Sequence, residues 1–134
     1  MIIVPTQIWN NLALGELKKT AQEFYKENFK GKKVKNKDRG IIIEMTSTGI
    51  RHVLHARNVG YVKLKAIYVL DKMLEQAEFT NFKDRDADDF KEIIGYMNFK
   101  VSVMIEENLH KFRIVVRITK DGKFYYDHAV KVKK

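Results

Sequence analysis

Residues 111–119 alternate strictly: Phe112, Ile114, Val116 and Ile118 fall on one side, Arg113, Val115, Arg117 and Thr119 on the other. A period of two is the signature of an extended strand with one buried face, and no helix satisfies it. Asp121-Gly122 follows at once, a tight-hairpin signal, and residues 124–132 complete the hairpin. Upstream, residues 94–99 and 100–106 have the same character. The C-terminal part of the chain therefore predicts a meander of three or four antiparallel strands. On the last of these, Phe124, Tyr126, His128 and Val130 are expected on one face, with Lys123, Tyr125, Asp127 and Ala129 on the other.

Before residue 93 the period changes. Leu14, Leu17, Ala21, Phe24 and Tyr25 recur at three- and four-residue spacing, predicting a helix over residues 12–29. Asn10 or Asn11 is available to cap its start and Gly31 to stop it. A short strand over 32–36, a turn over 36–40 and a β-branched strand over 41–45 come next. Thr46, Ser47 and Thr48 then offer N-caps for a short helix over 50–58. A longer helix is expected over 62–79, its stripe made by Leu64, Ile67, Leu70, Met73, Leu74 and Ala77. The polar stretch 80–89 predicts an exposed loop. Together these give an α+β fold with N-terminal helices packed on a twisted antiparallel sheet of about four strands.

At 134 residues the chain has the length of one domain with one hydrophobic core. Its 45% hydrophobic content is too high for a disordered chain. The absence of cysteine excludes disulfides, thiolate zinc sites and a cysteine nucleophile. The longest apolar runs, such as residues 66–70, are far short of a membrane span. The first residues show neither a basic nor a long apolar signal region, so a cytoplasmic protein with no membrane partner is expected.

Charge is distributed in blocks. Residues 31–65 carry nine basic and two acidic side chains, residues 66–109 five and ten, and residues 110–134 eight and two. Two basic blocks flanking an acidic one predict a polyanion-attracting surface if the fold brings them together. No glycine-rich phosphate loop, HExxH, EF-hand or nucleophile elbow is present. The acidic cluster Asp84, Asp86, Asp88 and Asp89 lacks the glycine and terminal glutamate of a calcium loop and reads as solvated. His52 and His55 lie at i and i+3 on the short helix, whose first amides can meet an anion. No carboxylate stands near them in sequence to complete a metal site, so neither metal nor cofactor is expected.

Histidine, arginine, lysine, tyrosine and threonine without metal-binding carboxylates suit metal-independent RNA cleavage. A 2′-hydroxyl must lose a proton and the 5′-oxygen gain one, work that histidine does near neutral pH. Arginine or lysine can stabilise the charge that builds on phosphorus. A basic groove holds phosphates and a tyrosine stacks an unpaired base.

Gly40-Ile41-Ile42-Ile43, then Ser47-Thr48-Gly49-Ile50-Arg51-His52, then Lys65-Ala66-Ile67 and the strand Phe124-Tyr125-Tyr126-Asp127-His128 resemble the phage-associated nuclease-like domains of the barnase–EndoU–colicin–RelE group. Such domains occur in large polyvalent proteins of phages and mobile elements. The similarity covers residues 30–132 and leaves 1–29 as a helical extension of one domain over 1–134. It implies helices preceding a four-stranded antiparallel sheet, an RNA-cleaving activity, and a role in phage–host or interbacterial conflict. Carried over, His52 matches the helix histidine, Lys65 the lysine of the next helix, and Tyr126 and His128 the polar pair of the last strand. With Arg117 these make the expected catalytic set. Thr46, Ser47, Thr48, Arg51, His55 and Arg113 are the expected substrate contacts. Expected partners are RNA, tRNA among them, and an immunity or antitoxin protein, with action in the cytoplasm of the producing or a target cell.

Two other classes compete. An inert nucleic-acid- or protein-binding module of the same fold would share the basic surface and lack the catalysis. An ADP-ribosyltransferase would want a glutamate on a late strand, and none follows Glu107.

Overall fold

The computed structural model describes residues 1–54 and 60–132, and of residues 52–54 the backbone course alone. Seven strands form one sheet: β1 (Ile2–Ile3), β2 (Lys33–Lys35), β3 (Ile42–Met45), β4 (Glu78–Asp84), β5 (Ile93–Ile105), β6 (Asn108–Thr119) and β7 (Phe124–Lys131). Their order is β1-β5-β6-β7-β3-β2, with β4 beside β5. Helix α1 spans Leu14–Asn28, α2 Ser47–Leu54, α3 Tyr61–Ala66 and α4 Leu70–Gln76, the last two joined by a 3-10 turn over Ile67–Val69.

The α+β expectation holds, but the sheet is larger than the four strands expected and not wholly antiparallel. β1 runs parallel to β5 and β3 parallel to β7. Residues 78–84, expected to end a helix and begin a loop, are instead a strand paired to β5 from Glu78↔Lys100 to Asp84↔Gly95. Edge pairing through the backbone needs no apolar pattern, which is why so polar a segment can be a strand. The helix expected over 62–79 breaks into α3, the 3-10 turn and α4, and Ala77 is already extended.

The core forms where the helices lie on one sheet face. Leu17, Ala21 and Tyr25 of α1 and Leu64, Leu70, Met73 and Leu74 of the later helices are buried with Phe99, Phe112, Ile114, Val116 and Tyr126. Asn36, fully buried, supports the β2–β3 turn: its Nδ2 donates to the carbonyls of Leu74 and Ala77 at 2.8 and 2.9 Å, and its Oδ1 accepts from Arg39 N. It thereby satisfies carbonyls that the end of α4 leaves open. The α1 segment, expected as an extension, contributes Tyr25, whose hydroxyl donates to the carbonyl of Thr46 at 2.6 Å.

Between β5 and β6, Ile105 pairs with Asn108, so Glu106 and Glu107 alone make the turn, with φ of +51° and +67°. Two left-handed residues are what a tight hairpin demands, and neither is the glycine usually found there. No helix among the described residues is long and apolar enough to cross a membrane.

Candidate active site on the second face of the sheet

Residues of β6 that point away from the helices are Lys111, Arg113, Val115 and Arg117. Cross-strand partners share a face, so register identifies their neighbours. Arg117 lies between Tyr96 of β5 and Tyr125 of β7, and its guanidinium stands 5.4 Å from the Tyr125 ring centroid. Next along, Val115 pairs with Asn98 and with His128, and Arg113 with Lys100 and Val130.

A bulge makes this arrangement. Val116 pairs with Tyr126 but Val115 pairs with His128, so Asp127 is the extra residue on β7. The expected alternation of β7 is overturned here. Tyr126 and Ala129 both face the core, at 1% and 5% exposure, while His128 joins Tyr125 on the second face. Asp127 is itself only 8% exposed. Its Oδ1 is 3.3 Å from Arg117 Nη1 and its Oδ2 is 2.7 Å from His128 Nδ1. A carboxylate so buried is tolerable because both its oxygens meet polar partners. Beside Nδ1 it favours the Nδ1–H tautomer, which puts the basic lone pair of His128 on Nε2. One side of the group is bounded by Tyr96, whose hydroxyl donates to Asp89 Oδ1 at 3.0 Å. Burial first, then that hydrogen bond, push its hydroxyl up to about 12.

The expected site residues divide. Arg117 and His128 meet through Asp127, and Arg113 shares their face further along β6. Tyr126 lies on the opposite face, its ring against Gly49, with burial pushing its hydroxyl far above the ordinary tyrosine range. Lys65 is 5% exposed on α3 and pairs with Glu106, with Asn10 Oδ1 at 3.2 Å. That places it at the β5–β6 turn, roughly 30 Å of strand away from Arg117. Thr46 precedes α2, Ser47 and Thr48 are its first two residues where the helix was expected to start at 50, and Arg51 Nη2 donates to Thr48 Oγ1 at 3.2 Å. His52 lies on α2, which packs along β7; its side chain, like all of His55, lies outside the described residues. Among the described residues no group of three His, Cys, Asp or Glu side chains is placed to hold a metal ion.

Sequence reasoning left out Asp127, Tyr125 and Tyr96. The adjacent Asp127-His128 was a signal, since a carboxylate next to a histidine can orient it, but strict alternation set the two on opposite faces. Nothing local marks Tyr96, which reaches Arg117 only through the pairing of β5 with β6.

A family model described as large polyvalent protein-associated domain 3 matches residues 13–126. No curated protein and no solved structure matches the chain.

Proposed function

The chain belongs to the large polyvalent protein-associated domain 3 family, and from that premise we propose that it is a metal-independent endoribonuclease domain of the barnase–EndoU–colicin–RelE type, acting on RNA in phage or mobile-element conflict. The observation that carries the proposal is the buried Asp127 held between Arg117 and His128. His128 is the general base, drawing the proton from a 2′-hydroxyl as that oxygen attacks phosphorus. Arg117 stabilises the negative charge that gathers on the phosphorane. Solvent protonates the departing 5′-oxygen, so that a 2′,3′-cyclic phosphate and a 5′-hydroxyl are left; α2, which carries His52, packs on the other face with Gly49 against Tyr126 and supplies no group to this step. Tyr125 and Tyr96 offer ring surfaces to unpaired bases. Lys65 and Tyr126 serve the fold in this scheme. A tRNA is the natural first substrate to try. An immunity or antitoxin protein would act by covering this face, in the cytoplasm where the domain works.

A binding module that does not cleave is the second reading. It is favoured by the positions of Lys65 and Tyr126, which take two expected catalytic groups away from the face. The test is incubation of the full chain with tRNA and with unstructured RNA in the presence of a chelator. Cleavage with cyclic-phosphate ends is expected, falling about 10²–10⁴-fold in His128→Ala, with the variant still folded. Salt-sensitive binding without cleavage would establish the module instead.

A further inference from the structure

On the reading that RNA lies on the second face, we infer that its site extends along β6 into a groove at Lys100, Lys111 and Arg113, which holds the flanking backbone of a single strand. The groove has a volume of about 720 Å³ and includes Lys100, Ser102, Leu109, Lys111, Arg113 and Val132 in its lining. Lys100 and Arg113 are directly opposite each other across β5 and β6, and Ser102 is opposite Lys111. Like charges in direct cross-strand register repel. Glu78 Oε2, 3.9 Å from Lys100 Nζ, is the one carboxylate the described residues bring to this cluster, and none pairs with Arg113 or Lys111. Three cations with one carboxylate among the described residues, aligned on one sheet face, attract a polyanion.

Spacing narrows the class of ligand. Alternate residues of a strand are about 6.6 Å apart, comparable to successive phosphates on an extended nucleic-acid strand. From Arg117 to Lys111 is roughly 20 Å of strand, room for the backbone of about four nucleotides, the lower end of what such grooves hold. Leu109 and Val132, 44% and 45% exposed, give the groove apolar surface. That surface suits the exposed faces of unpaired bases better than the hydrated exterior of a duplex. The ligand is therefore single-stranded RNA, running from the Arg117–Tyr125 pair past Arg113 to Lys111.

The experiment measures binding of 2′-O-methyl RNA, which cannot be cleaved, as a dinucleotide, as an octanucleotide and as a duplex. The wild-type octamer should bind at least tenfold more tightly than either of the others. In Lys100→Ala/Arg113→Ala the octamer should lose that advantage, and its salt slope should fall by about two, one for each phosphate contact removed. Dinucleotide binding should not change. An unchanged octamer affinity in the double variant overturns the inference; if Arg117→Ala or Tyr125→Ala still weakens binding, the proposed site survives without the tract. Equal binding of the duplex overturns the single-strand assignment. Failure of every oligomer to bind wild type overturns both.

Discussion

The ring of Tyr126 lies directly on Gly49, so that a β-carbon at residue 49 would stand 2.5 Å from Tyr126 Cε2 and closer still to Cδ2, with Tyr25 Oη at 3.2 Å. Glycine here is a packing requirement, since it lets the start of α2 close on β7. Alanine in a helix is ordinarily favoured over glycine by about 1 kcal/mol. At residue 49 the clash decides the sign, because Tyr126 is fully enclosed. Gly49→Ala should destabilise by about 1–3 kcal/mol in urea unfolding. Gly15, with nothing within 4 Å of a β-carbon, is the counterpart on α1. Gly15→Ala should stabilise by about 0.5–1 kcal/mol.

Asp127→Asn keeps the shape of the bulge but removes the charge between Arg117 and His128. Asparagine has one acceptor oxygen where aspartate has two, so either Arg117 Nη1 or His128 Nδ1 is left facing an amide N–H, and the tautomer of His128 is no longer set. RNA cleavage should fall about 10²-fold or more in kcat, within the range one proton-transfer group supplies, while oligonucleotide affinity moves little. A larger effect on KM than on kcat would show that Asp127 shapes binding and not proton transfer.

The two glutamates of the β5–β6 turn should answer oppositely to the same change. A left-handed conformation costs an ordinary residue about 1–2 kcal/mol, part of which glycine gives back through the flexibility of the unfolded chain. Glu107→Gly should therefore stabilise modestly. Glu106→Gly relieves the same strain but leaves the buried Lys65 ammonium without its carboxylate. That loss, about 1–3 kcal/mol, should leave Glu106→Gly the less stable of the two in paired thermal melts.

Alkaline pH should unfold the protein early. Tyr96 is held up to about 12, and burial raises Tyr25 and Tyr126 beyond it. The unfolded chain gives up these protons near pH 10, before the folded one, so it binds fewer protons there and stability falls as pH rises. For Tyr96 the decline runs from about pH 10 to about 12, and below pH 10 its contribution is fully present. Tyrosinate absorbance should appear together with loss of circular dichroism, and Tyr96→Phe should make the decline shallower.

Local periodicity carried much of this structure. α1, β3 and β6 fall close to the residues where spacing or β-branching puts them, and the Asp121-Gly122 turn sits where β6 meets β7. What escaped depends on partners far away in sequence. β1 is a two-residue strand defined only by its pairing with Val103 and Met104. β4 has too little apolar pattern to announce itself. At the site, Arg117 and His128 could be named as chemically apt, but their meeting depends on the bulge at Asp127. One extra residue reverses which side chains share a face, and strict alternation has no way to include it.

β7 also governs when the fold can exist during synthesis. β2 and β3 join β5 and β6 solely through β7, which pairs Ile43 with Phe124 on one flank and Ile118 with Phe124 on the other. Until that strand is made, the sheet is two separate fragments, and Asp127 and His128 have not yet been added. A ribosome carrying a chain short of β7 thus holds neither a complete core nor an assembled candidate site. The domain can reach its mature form only after residue 131 has cleared the exit tunnel.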